Sequence, residues 1–218
     1  EGVKRRLARF EDDRTLQPFQ IPWRNLGLVL LTTGGLLFSF TRLRGSARAR
    51  LVWQIIVVVT LGLLLGDLLS QALFIGWAKH GLPWQDSWGL LFLATAALLI
   101  PWATGKQLYC HQLCPHGFLQ QWLGKLPIKP IKVPASLQKL PSILLIVIAL
   151  LAITSTTANY ADFEAFDAWL WQAAGIATLT IAIIGLLSSL LIPMAYCKYG
   201  CPTGALLKFL RHTSTGNQ

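Results

Sequence analysis

Charge is what this sequence has least of. Only 13% of its 218 residues are Asp, Glu, Lys or Arg, about half the share of a soluble globular domain, while 54% are hydrophobic. An ordinary soluble fold could hold this composition only by burying several helices completely. Acids are scarcest, nine against 19 Lys and Arg. No apolar run occurs in the first 20 residues, so this stretch does not read as a signal peptide. The start on Glu1 reads as a piece of a longer protein, or a processed one. No histidine falls within a long apolar run, which excludes bis-histidine haem ligation inside a bilayer.

What the chain has instead is apolar runs long enough to span a membrane. Five spans can be drawn, at 22–41, 51–77, 87–104, 141–158 and 170–194. Pro22, Pro141 and Pro193 mark span edges, where a missing N–H is tolerated. Trp23, Trp53, Trp77, Trp88, Trp102, Trp169 and Trp171 sit near the boundaries, as interfacial belts do. The expected fold class is therefore an all-α integral membrane protein with about five transmembrane helices. An outer tail (1–24), a transmembrane domain (25–211) and a short C-terminal tail (212–218) complete the organisation.

The net charge of +10 is not a nucleic-acid signal, because the basic residues lie between apolar runs, where the positive-inside rule expects them. With the N-terminus outside, twelve of the 19 Lys and Arg fall in inner segments, and none of the nine acids does. The expected location is the bacterial inner (cytoplasmic) membrane, C-terminus cytoplasmic, with membrane lipid as the first partner.

The four cysteines form two matched motifs, each preceded by Leu-Leu-Ile-Pro. The first reads Tyr109-Cys110-His111-Gln112-Leu113-Cys114-Pro115-His116-Gly117, the second Tyr196-Cys197-Lys198-Tyr199-Gly200-Cys201-Pro202-Thr203-Gly204. Span, Cys-x3-Cys-Pro-x-Gly and short helix thus repeat at an offset of 87 residues, and pseudo-twofold packing would bring the motifs face to face. On a helix, positions i and i+4 share a face, so each unit presents two sulfurs together. The segments after each glycine, 118–123 and 205–210, read as short amphipathic helices on the membrane surface. Amides at such a turn favour bound negative charge. Cys110, Cys114, Cys197 and Cys201 are the candidate metal ligands. Four thiolates suit a [4Fe–4S] or [2Fe–2S] cluster, tetrahedral zinc or, less naturally, Cu(I). Cytosolic placement disfavours disulfides.

The second motif, with Ala205 and Leu206 after it, and the first, with Phe118, Leu119 and Gln120 after it, resemble the NosR/NapH group of membrane iron–sulfur proteins. Those read roughly Cys-x3-Cys-Pro-x-Gly-Ala-Leu-Gln; Phe118 for Ala is the one departure in the first motif. The resemblance covers roughly 85–211. It implies electron transfer in the cytoplasmic membrane, from a quinol or cytoplasmic donor towards a periplasmic flavin or reductase. It also implies partner electron-transfer subunits and FMN on a partner or an upstream domain. Two departures stand out: no ferredoxin-type Cys-x2-Cys-x2-Cys-x3-Cys run follows, and no flavin-attachment threonine motif is present.

Other residues invite chemistry. Asp67, near Gln54, Ser70 and Gln71, lies deep in the second span. An acid there marks a proton path or quinone pocket by default, with a paired residue near the outer interface as the plainer reading. Gly62 and Gly66 have the Gly-x3-Gly spacing of close helix packing. His111 and His116 flank the first cysteine pair, and Tyr109 and Tyr196 precede each motif. These four are candidate neighbours of the centre. Lys198 and Thr203 at the equivalent places argue against a shared histidine-ligand role. The expectation is an electron-transfer subunit with one cluster at the cytoplasmic face. A copper- or zinc-handling or metalloenzyme-assembly protein, and a small transporter centred on Asp67, are the alternatives.

Overall fold

The computed structural model describes residues 23–66, 68–84, 86–127, 131, 133–154, 169 and 176–215. Among them every regular element is helical, and no strand occurs, as the apolar patterning requires. The helices are α1 (Trp23–Phe40), α2 (Ala47–Val57, continuing as a π-helix over Val58–Leu65) and α3 (Gln71–His80). Next come α4 (Trp88–Thr104), a π-turn at Tyr109–Leu113, and α5 (Pro115–Leu123). The remainder are α6 (Leu140–Thr154), α7 (Ile176–Leu191), α8 (Ala195–Tyr199) and α9 (Pro202–Thr215).

The fourth helix matches its expected span within a residue, and α1 within one residue at each end. The second span does not run unbroken over 51–77. Gly66 takes a left-handed conformation, φ 69°, and caps the π-helix by donating its N–H to the Leu61 carbonyl. The chain then runs non-helically to Ser70, whose hydroxyl accepts from Leu73 N and starts α3. Glycine reaches positive φ without the steric cost other residues meet, so Gly66 serves a turn rather than a Gly-x3-Gly seam. Gly62 does lie in a close contact: a Cβ there would meet the Trp169 ring at 2.6 Å and Pro115 at 3.3 Å. Asp67, the acidic outer loop (159–167), Trp171 and the segments 1–22 and 216–218 lie outside the described residues.

Helix α1 packs along α4, joined at one end by Asn25 Nδ2 donating to the Asp86 carbonyl at 2.9 Å. The approach is tightest at Gly89, where a Cβ would stand 2.6 Å from the Asn25 backbone. Polar residues on these helices turn inward on their own backbones: the Thr32 and Thr33 hydroxyls donate to the carbonyls of Leu28 and Val29. Between α5 and α6 the chain is tied to the end of α7, where Ile131 N donates to the Leu191 carbonyl.

The outer surface is strongly apolar. Leu30 is 62% exposed, Ile153 83% and Ile176 85%, and α6 shows Ile143, Ile146 and Leu150 outward while burying Ile148. By length and composition Ala47–Leu65 is long and apolar enough to cross a membrane. Trp88–Thr104, Ser136–Leu151 and Thr178–Leu191 are apolar but shorter. Replacing Gly89 by alanine should force α1 and α4 apart and cost about 1–3 kcal/mol, the usual penalty of overpacking. Thermal unfolding of the purified variant checks this; an unchanged midpoint would remove the close-approach argument.

Candidate functional site

Each motif begins a new helix at its second cysteine. Proline at a helix's first position fits, since that N–H would have no partner anyway, and it pushes the preceding residue out of the helical region. Cys114 accordingly has φ −82° and ψ 108°, the geometry of an N-cap. Its Sγ accepts a hydrogen bond from Gly117 N at 3.4 Å. Cys201 repeats this on α9, accepting from Gly204 N at 3.2 Å. The glycine keeps room for the sulfur: a Cβ at Gly204 would stand 3.3 Å from Cys201 Sγ. The two cysteines of each motif are therefore not neighbours on one continuous helix face. The first lies in a helical turn, and the second opens the next helix.

The packing exchanges partners between the repeats. Helix α5, after the first motif, packs on α7, which precedes the second motif. Helix α9, after the second motif, packs on α4, which precedes the first. Neither return helix lies flat across an end of the bundle. Pro115 meets α2 at Gly62, whereas Gln121 and Trp122 meet it at Gln54. Gln54 Nε2 donates to Gln121 Oε1 at 3.1 Å, and Trp122 Nε1 donates to Gln54 Oε1 at 2.8 Å. Eight residues of helix separate those levels, about 12 Å, so α5 runs antiparallel to α2 and Cys114 sits that far inside the bundle from Trp122. Similarly, Arg211 of α9 shares a cavity with Ser39 and Lys106 at the basic end. Cys201 lies ten residues earlier, about 15 Å along the helix.

All four cysteines are free and line one cavity of about 370 Å³. The sulfurs of different motifs are near enough for their charges to interact, Cys110 with Cys201 and Cys197 with both Cys114 and Cys110. Lys198 and Lys208 also line the cavity, and among the described residues no acid does. Cys114, in the turn between α4 and α5, has its thiol pushed up to about 11 by burial, against the pull of the Gly117 and His116 amides. A bound cation reverses that preference, since the thiolate is the ligand form. Among the described residues no three His, Cys, Asp or Glu side chains close around a single metal ion. Tetrahedral zinc, with Zn–S near 2.3 Å, would need its sulfurs within roughly 3.8 Å of one another. A wider ring of thiols around a larger space suits a cluster, in which different irons take different ligands.

The other candidate residues divide. Tyr109 and His111 line the cavity, His111 on its exposed rim. Tyr109 is 1% exposed, and its hydroxyl accepts from Leu69 N at 2.9 Å, satisfying an amide freed by the break after α2. His116 and Tyr196 do not line the cavity. Their rings pack edge to face, 5.0 Å apart, and burial lowers His116 to a pKa of about 4, so it is neutral. Trp53, expected at an interface, instead stacks on Phe38 and donates Nε1 to the Gln112 carbonyl at 2.9 Å, pinning the first motif's turn. Sequence reasoning missed the roles of Trp53, Gln54 and Gln120; only Gln54, an amide within an apolar run, carried a signal.

Residues 87–134 and 174–215, two stretches with one motif each, match the family model of a 4Fe-4S binding domain. The match supports an iron–sulfur protein that binds a 4Fe–4S cluster. No curated protein and no solved structure matches the chain. The site fits such a group: four thiols surround one space, two helix starts and two lysines face it, and among the described residues no carboxylate opposes its negative charge. Tyr109→Phe should cost about 1–3 kcal/mol by leaving the Leu69 amide unpaired in the core. Chemical denaturation checks this, and a fall in iron content at unchanged stability would assign the hydroxyl to the centre instead.

Proposed function

We propose that Cys110, Cys114, Cys197 and Cys201 together hold one [4Fe–4S] cluster. In this reading the chain is the membrane-embedded electron-transfer subunit of a NosR/NapH-like oxidoreductase. The observation that carries the reading is the meeting, at one cavity, of four thiols from motifs 87 residues apart. When bound, the cluster supplies a one-electron redox couple. The chain's own residues would hold and insulate it. The N-cap amides of Gly117 and Gly204 already point at ligand sulfurs, and Lys198 and Lys208 offset negative charge. Helices α2, α4, α6 and α7 would turn their apolar outer faces to lipid, since exposed apolar surface of this extent has no place in water.

The distribution of basic residues supports a reading in which the cysteine motifs lie towards the cytoplasmic side of a bacterial inner membrane, with the N-terminus outside. Electrons would pass between a cytoplasmic or quinol donor and a periplasmic flavin or reductase partner, with FMN on that partner or on an upstream domain. Placing the second cysteine of each motif inside the bundle shortens the path to the far side, compared with a cluster at its edge. Tetrahedral zinc, one form of the competing metal-handling assignment, is disfavoured because among the described residues the thiols do not close on a single ion; copper is separated from the cluster by metal and sulfide analysis.

Protein purified anaerobically should contain about four iron and four acid-labile sulfide per chain and, once reduced, give the electron paramagnetic resonance signal of a [4Fe–4S] centre. Replacing all four cysteines by serine should abolish both. Zinc or copper without sulfide would overturn the assignment. For topology, a fluorescent protein fused after Gln218 should fluoresce in cells, whereas periplasmic phosphatase fused there should be inactive. The reverse result would invert the proposed orientation.

A further inference from the structure

Gln120 lies in α5, fully buried, and reaches across to the other motif. Its Oε1 accepts from the backbone N–H of Cys197 at 3.4 Å, which fixes the carboxamide beside that cysteine. The other end of the amide, Nε2, is buried and has no hydrogen-bond partner in the protein. The carboxamide also faces the Cys197 sulfur. Buried donors rarely go unpaired, so one held beside a ligand thiol points to that sulfur, or to a group bound at it, as its acceptor. The pseudo-equivalent position after the second motif is Leu207, equally buried and without a donor. The demand is therefore local to Cys197 and not a packing need of both helices.

We propose that Gln120 Nε2 donates a hydrogen bond to sulfur at the Cys197 corner of the cluster, either Cys197 Sγ or the sulfide next to it, and so raises the cluster's reduction potential. The inference rests on the cluster assignment above. Hydrogen bonds to cluster sulfurs are among the factors that set potential. A donor favours the more negative, reduced state, and in surroundings this apolar the effect is not diluted by solvent. Gln120 is thus a tuning residue that acts on one corner, leaving the Cys110 side without its counterpart.

The test is a redox titration of the anaerobically purified full chain, followed by paramagnetic resonance, with iron and sulfide assayed on each sample. Gln120→Leu copies Leu207 and removes donor and acceptor. Gln120→Met keeps the length of the side chain and removes the donor without adding charge. Both should keep full iron and sulfide and shift the potential downward. At a fixed poise, the reduced-to-oxidised ratio should fall by roughly tenfold, equivalent to 59 mV for a one-electron couple. If Gln120→Leu fails to assemble, Gln120→Met decides. An unchanged potential in a loaded variant overturns the inference and leaves the cluster assignment standing. In that case Nε2 is served by water in the adjoining cavity, which Gln120 shares with Arg50 and Lys125. Wild-type protein without iron and sulfide overturns the assignment itself.

Discussion

Two helix starts made from the same four residue types govern this structure. In Cys-Pro-x-Gly the cysteine caps, the proline opens the first turn, and the glycine amide donates to the sulfur. One such start aims a thiol and a set of free amides at a point, but a single nine- or fourteen-residue helix cannot hold that point by itself. The exchange of partners does so. Because α5 leans on α7 and α9 on α4, each motif is braced by the helix that delivers the other. The cysteine pairs cannot separate without unpacking both repeats. Two positive helix ends and two lysines then face one space, an environment suited to a group carrying negative charge.

Around that space several buried polar groups are tied to distant parts of the chain. Tyr109 holds the amide of Leu69, Trp53 holds the carbonyl of Gln112, and Gln54 joins Gln121 to Trp122. In apolar surroundings an unmade hydrogen bond is costly, so each link orients its helix strongly. Together they set the depth of the site: the return helices run back along α2 and α4 instead of lying over an end. The two π-helical stretches, Val58–Leu65 and Tyr109–Leu113, flank the same region. Their widened turns are a common adjustment beside functional sites.

Local signals read the regular parts of the fold well. An uninterrupted apolar run bounded by Ser87 and Gly105 is enough to place α4, and the paired motifs announce a repeat whatever the packing. They fail where the signal is ambiguous along the chain. Gly66 sits in a run that scores as helix on both sides, and only its left-handed backbone shows that the run is broken. Trp53 lies where an interfacial tryptophan would, yet its indole N–H is claimed by a carbonyl 59 residues away. Cys-x3-Cys spacing suggests two sulfurs on one helix face, but the proline after the second cysteine turns that cysteine into a cap.

The sequence by itself determined the all-helical class, the two-fold repeat and the identity of the four thiols, because hydrophobic patterning, motif spacing and helix-start chemistry are properties of short stretches. Tertiary structure alone decided that the motifs face one another, how far inside the bundle they lie, and which unrelated side chains touch them. Those facts depend on contacts between residues such as Gln120 and Cys197, 77 positions apart, and no local preference encodes a distance between helices.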